Sequence, residues 1–357
     1  MIDFLFYLYL LLLLTCIKSY RRRRNTGFQY LDINTTSLSK GSFALLVLFS
    51  HISYVINTGV LFPYLKYTGY LAVSVFFFIS GYGTMTKHIN DPEYKKSFIT
   101  KRYTRLIIMY LLIYAVFFTV RHYGLHENIS LKDSILMSLG NFPFVASSWY
   151  LFDTIVIYFA FWIFMNLLKN RYAAIVLYMS VFLFAYAVLL MLTEHGFWWF
   201  VTMPNYVVGM FFAINKDRIV HFYDNYRGLI CIILIVLFTA TFAYYVINTT
   251  GEADSLFMIF IMISSSTLFV LLYSFVVFIF QFKSKVLLFF GSISLPFFLI
   301  QNMFNEVLPF KDYFPNELIF AFYSLICTTL SAFILTNTVD LLFKYIIKPL
   351  KRWLSFT

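Results

Sequence analysis

The chain has 357 residues, 61% hydrophobic and only 12% charged, with a mean hydropathy of +0.80 and a formal net charge of +11. Soluble domains carry about 25% charged residues, so a soluble globular protein is excluded, and apolar runs of membrane-spanning length recurring from end to end mark a polytopic helical membrane protein. The basic residues fall in alternate loops rather than in one patch, which argues against a nucleic-acid partner, while Cys16, Cys231 and Cys327 lie far apart in apolar runs and offer neither a disulfide framework nor a metal spacing.

The first run, Ile2 to Ile17, is followed by Lys18 and Arg21 to Arg24. A signal peptide carries its charges before the apolar run, not after it. The run therefore reads as a retained helix, either spanning the membrane from outside to inside or pairing with another helix without crossing. Asn25 to Ser37 reads as a polar linker. Ten further runs follow: Leu38 to Asn57, Gly69 to Met85, Leu106 to Val120, Trp149 to Leu168, Ala173 to Leu192, Trp198 to Ile214, Leu229 to Ile247, Leu256 to Phe280, Val286 to Asn305 and Leu318 to Phe343. Barrel strands would be about ten residues long and alternating; these runs are longer and apolar on every side. A short apolar stretch around Ile135 could dip back into the membrane. The expected fold is all-α, a polytopic transmembrane helical bundle of eleven spans, divided into an N-terminal helix with a basic linker (1–37) and a membrane domain (38–357).

Threaded from an external start, this layout leaves Lys66, Arg121, Lys132 and Lys311 outside and the remaining 23 of the 27 lysines and arginines inside, the asymmetry that cytoplasmic loops show. The expected orientation is N-terminus outside and C-terminus cytoplasmic.

The stretch SKGSFALLVLFSHISY, Ser39 to Tyr54, carries Lys40 and His51 eleven residues apart. At about 100° per residue both point the same way, separated by a rise of about 16 Å. This sets a cation at the membrane surface below an imidazole near the membrane centre. Lys40 either binds an anion or snorkels to the interface. An ionisable group at membrane depth is by default a functional candidate, the alternative being a hydrogen bond from His51 to a neighbouring helix. Arg102 and Arg105, three residues apart at the cytoplasmic start of a helix, share a face. Guanidinium groups grip phosphate in two-pronged fashion, although such residues also serve as topology signals. Asp153 lies about a turn inside the outer end of its span. There it either orients or charges the histidine, or faces a water-filled mouth. Trp149 stacks on a sugar ring or belongs to the interfacial aromatic belt. Gln301 and Asn302 bond a substrate carbonyl or bridge helices. Ser80 and Gly81 fit close helix packing.

Six segments occur in order along the chain. They are Lys40 with His51; VSVFFFISGYGTMTK, Val73 to Lys87; FITKRYTRL, Phe98 to Leu106; SSWYLFDTIVIYF, Ser147 to Phe159; PNYVVGMFFA, Pro204 to Ala213; and FFGSISLPFFLIQ, Phe289 to Gln301. Together they resemble the acyltransferase family 3 membrane proteins: the opening helix with its basic residue and histidine, the FFxxSG segment, the R-x-x-R pair, the W-x-L helix start, the glycine-bearing later span and the G-x-x-S-x-x-x-Y-L-x-H segment. The resemblance runs from about Leu38 to the C-terminus. The chain departs from it at Phe298 and Gln301, where many relatives have tyrosine and histidine, which argues against an acid–base role there. Asp340 and Pro349 match the family's E-x-P ending only loosely, and the first run is additional to the usual ten spans.

What the resemblance implies is a bacterial cell-membrane O-acyltransferase, expected to be an O-acetyltransferase. It would move an acyl group from cytoplasmic acetyl-CoA, or another acyl-CoA, to a hydroxyl of a cell-surface polysaccharide (capsule or exopolysaccharide) or its lipid-linked precursor, with no metal. Longer relatives carry an extracytoplasmic hydrolase-like domain; without one, transfer falls to the membrane domain or a separate partner. His51 and Asp153 are then the candidate catalytic residues, Lys40, Arg102 and Arg105 the donor-binding cations, and Trp149, Gln301 and Asn302 the substrate contacts. The alternative class is a transporter or glycan exporter in which His51 relays protons.

Overall fold

The computed structural model describes residues 2–20, 30–56, 58–91, 93–138, 143–249, 255–308, 313–314 and 316–347. Arg21 to Arg24, Glu252 and Asp254, Lys311, and Lys348, Pro349, Lys351 and Arg352 lie outside the described residues. In chain order the helices are α1 (Asp3–Thr15), α2 (Ile33–Val55), α3 (Gly69–Asn90), α4 (Tyr94–Thr119), α5 (Leu131–Ser138), α6 (Trp149–Leu168), α7 (Tyr172–Leu192), α8 (Pro204–Ile214), α9 (Lys216–Asn225), α10 (Arg227–Asn248), α11 (Leu256–Ile279), α12 (Lys285–Ser292), α13 (Ser294–Asn302) and α14 (Glu317–Leu342). Two short strands, β1 (Ile17–Tyr20) and β2 (Phe280–Phe282), pair antiparallel. The protein is all-α and polytopic.

Among the described residues nine helical segments are long and apolar enough to cross a membrane, and ten if α12 and α13, interrupted at Ile293, count as one. These are the second to eleventh runs of the sequence. The first run is different. At 13 residues, α1 is about 20 Å long against a hydrocarbon core of about 30 Å, so the expected count of eleven is reduced. It is tied down at both ends instead. The Asp3 carboxylate accepts from the backbone N–H groups of Val60, Leu61 and Phe62 at 2.8, 2.9 and 2.8 Å, and β1 continues the chain onto β2.

Two boundaries also move. The helix expected from Leu38 starts at Ile33, because Asp32 accepts from the Thr35 N–H at 2.7 Å and caps it. The basic loop before Leu106 is helical from Tyr94: lysine and arginine are good helix formers, no glycine or proline intervenes, and Lys96 pairs with Glu93 at 2.7 Å. The stretch around Ile135 is the eight-residue α5.

The helices fall into two compact units, Met1–Ser97 with Asp153–Ser292, and Phe98–Phe152 with Ile293–Thr357. The first is built on two crossings in which glycine lets backbones touch. A Cβ on Gly81 would stand 1.9 Å from the Tyr206 carbonyl oxygen, and one on Gly209 2.1 Å from that of Phe78, so α3 and α8 meet without intervening side chains. In the same way Gly41 and Gly291 bring α2 against α12. In lipid, where helices gain nothing from burying apolar surface, such contact supplies the packing. Edge-on rings fill the space beside the first crossing, Phe78 lying 5.2 Å from Phe212 and 6.1 Å from Tyr273. In the second unit α13 packs against α14 and against the Ala146–Ser148 turn that leads into α6.

Candidate functional site

In the first unit, Lys40 stands on the best-anchored part of α2. Ser39 accepts from the Tyr273 hydroxyl of α11 at 2.8 Å, Gly41 lies against the α12 backbone, and Ser42 shares a 2.9 Å hydrogen bond with Tyr9 of α1. Three helices thus grip three residues flanking Lys40, which itself remains half-buried. His51 is also half-buried and lies on the same helix. Ala44 is the middle residue of Ile33–Val55, so His51 is seven residues beyond the helix centre, within its last turns.

Asp153, one turn into α6, is fully buried. Its Oδ1 accepts from the Tyr186 hydroxyl of α7 at 3.0 Å; its Oδ2 has no hydrogen-bond partner among the described residues. A buried carboxylate oxygen without a donor is costly. Such an atom in a membrane-spanning helix is suited to receive a proton or an N–H group during a reaction.

In the second unit, Arg102 and Arg105 lie about two and three turns inside α4. The Arg105 guanidinium is paired with Asp340 of α14 at 2.9 Å, both side chains about half-exposed at 49% and 54%. Trp149 opens α6, directly after the Ser147–Ser148 pair, and its neighbour Tyr150 lies edge-on to Phe298 of α13 at 5.4 Å. Gln301 and Asn302 end α13 and are buried, at 0% and 3% exposure. Asn302 Nδ2 reaches Glu306 at 3.4 Å, whereas neither amide atom of Gln301 has a partner among the described residues. The structure therefore brings the start of α6 beside the helix that carries Gln301 and Asn302. Lys40, His51 and Asp153 belong to the other unit.

Sequence reasoning missed Tyr186 and the pairing of Arg105 with Asp340. It also passed over a set of buried hydroxyls and amides around α13: Ser147, Ser148, Asn305, Ser324 and Thr328. A tyrosine among 28 carries no signal by itself, and a carboxylate within the apolar last span, such as Asp340, was the one available hint. Among the described residues no group of three or more His, Cys, Asp or Glu is placed to hold a metal ion.

The family model for the acyltransferase domain of acyltransferase family 3 matches residues 28–337. No curated protein and no solved structure gives a significant match. The matched region takes in every candidate residue, from Lys40 to Asn302, and most of α14. The chain belongs to acyltransferase family 3 and is a multi-pass membrane enzyme that transfers acyl groups.

Proposed function

We propose that the protein is an O-acetyltransferase of a bacterial cell membrane, with its N-terminus outside and its C-terminus in the cytoplasm. It takes acetyl from cytoplasmic acetyl-CoA and places it on a hydroxyl of a capsule or exopolysaccharide, or of the lipid-linked precursor. The observation that carries the donor assignment is the Arg102–Arg105 pair. The two guanidinium groups stand three residues apart on α4, and one of them already holds an oxyanion, the Asp340 carboxylate at 2.9 Å. The phosphates of CoA present the same kind of oxygen to the same planar fork. Lys40, fixed on its helix by Tyr273, α12 and Tyr9, adds a further cation for the donor.

His51 is the base. Its neutral imidazole takes the proton of the acceptor hydroxyl as that oxygen attacks the thioester carbonyl. The C–S bond then breaks, the ester C–O bond remains, and the proton passes to the departing thiolate of CoA. Asp153 orients or stabilises the protonated imidazole, Trp149 stacks on the acceptor sugar, and Gln301 and Asn302 bond a substrate carbonyl.

The test is transfer of labelled acetyl from acetyl-CoA to glycan by the purified protein in liposomes. His51→Gln keeps volume and some hydrogen bonding but loses the base, so its rate should fall by roughly two to four orders of magnitude while acetyl-CoA still binds. Arg102 and Arg105 changed together to alanine should raise the donor KM, with only partial rescue by lysine. Wild-type rates in the His51→Gln protein would overturn the mechanism. Proton-coupled glycan export without acetyl transfer would favour a transporter.

A further inference from the structure

Around α13 the second unit buries a set of polar groups with hydrogen bonds unmade among the described residues. Gln301 is 0% exposed, and both its Oε1 and its Nε2 lack partners among the described residues. Asn305, one turn on, accepts from the Ser324 hydroxyl through its Oδ1, while its Nδ2 has no partner among the described residues. Thr328, one turn beyond Ser324 on α14, is fully buried, and its hydroxyl oxygen has no partner among the described residues. α13 packs against α14; Gln301 lies one turn before Asn305 and Thr328 one turn beyond Ser324, so each is one turn from the Asn305–Ser324 contact. Ser147, on the turn that packs against α13, is buried and its hydroxyl has no partner among the described residues, and Ser148 beside it is buried as well.

These groups have two features in common. They are all uncharged, and the helix that carries Gln301 also buries the apolar side chains of Phe297, Phe298, Leu299 and Ile300. A membrane interior supplies no water to satisfy such atoms, and leucine at position 301 would pack without leaving donors and acceptors unpaired. The ligand that fits is a thin, neutral chain in which amides alternate with methylenes. A sugar ring fits less well, because hydroxyls on every side would need a partner for each.

We infer that this buried amide and hydroxyl cluster is the binding site for the pantetheine arm of the acyl-CoA donor, with Gln301 pairing with an amide of the arm. The inference rests on the acetyl-CoA reading above. The nucleotide end of the same donor is assigned to Arg102 and Arg105 of the same unit.

The experiment compares wild type with Gln301→Leu in liposomes, using acetyl-CoA, free pantetheine and adenosine 3′,5′-bisphosphate. Gln301→Leu should fold with unchanged or raised thermal stability. Its acetyl-CoA KM should rise about tenfold, the loss of one good hydrogen bond, with the acceptor KM unchanged. Pantetheine should compete with acetyl-CoA in wild type and about tenfold less well in the variant, whereas the bisphosphate, which has no arm, should inhibit both equally. Identical donor KM and pantetheine inhibition in the two proteins would overturn the inference, and so would a change confined to the acceptor KM, which would assign the cluster to the sugar. If neither acetyl-CoA nor the bisphosphate engages the wild-type protein, the donor assignment itself fails.

Discussion

At Asp153 a fully buried carboxylate keeps one oxygen bonded to Tyr186 and the other unpaired among the described residues. Tyr186→Phe removes only the donating O–H. A hydrogen bond contributes about 0.5–1.5 kcal/mol net, so thermal unfolding should register a modest loss. If Tyr186 holds Asp153 in a working orientation, kcat should also fall about tenfold with the donor KM unmoved, and Asp153→Asn should fall further. An unaltered kcat in Tyr186→Phe would make the pair structural only. The two partners are 33 residues apart on consecutive helices. Helical periodicity relates Lys40 to His51 on one helix, but it has no means of choosing among tyrosines on the next. The same holds for Arg105 and Asp340: each is visible as a charge near the end of an apolar run, and only folding pairs them.

At the scale of elements, the α3–α8 crossing is the most demanding contact in the first unit. Gly81→Ala would put a methyl 1.9 Å from the Tyr206 carbonyl oxygen, so the helices must separate. Thermal unfolding should drop by several degrees, with loss of folded protein in detergent. Gly83, on the same helix with open space at its Cβ position, is the control: Gly83→Ala should be neutral or should stabilise by up to about 1 kcal/mol through helix propensity. The short α1 makes a second prediction. Hydrogen bonds from the backbone N–H groups of Val60, Phe62 and Leu61 hold the Asp3 carboxyl below its ordinary range, against a smaller opposing effect of burial. Because the folded-state value is the lower one, the stabilisation is complete above the usual carboxylate range and is lost as pH falls through the depressed value. Asp3→Asn should weaken the docking of α1 at neutral pH, seen as faster proteolysis near Thr15. That difference from wild type should shrink at acid pH, and equal proteolysis at all pH values would mean the contact does not hold the helix. The late starts that hydropathy alone gives α2 and α4 have one cause. Hydropathy marks where a helix enters lipid, whereas capping and propensity mark where it begins.

At the scale of the whole molecule, the charge asymmetry predicts that the segment with Lys95 is cytoplasmic and the one with Glu252 is external. Single cysteines on a cysteine-free background should be labelled from outside at position 252 and spared at position 95; the reverse would invert the direction of acyl transfer. The sequence by itself determined the fold class, the order of the ten long apolar runs, and the family through six ordered segments, because lipid admits only helices that satisfy their own backbone and those runs are local properties of the chain. It also placed Gly81 at a close helix contact. The tertiary structure decided what depends on distant partners. It made α1 a short docked helix rather than a span, gave Asp153 its tyrosine and Arg105 its carboxylate, and left the amide of Gln301 buried without a partner among the described residues. Those outcomes depend on how side chains from separate helices meet, and the hydrophobic pattern of a single helix carries no record of its neighbours.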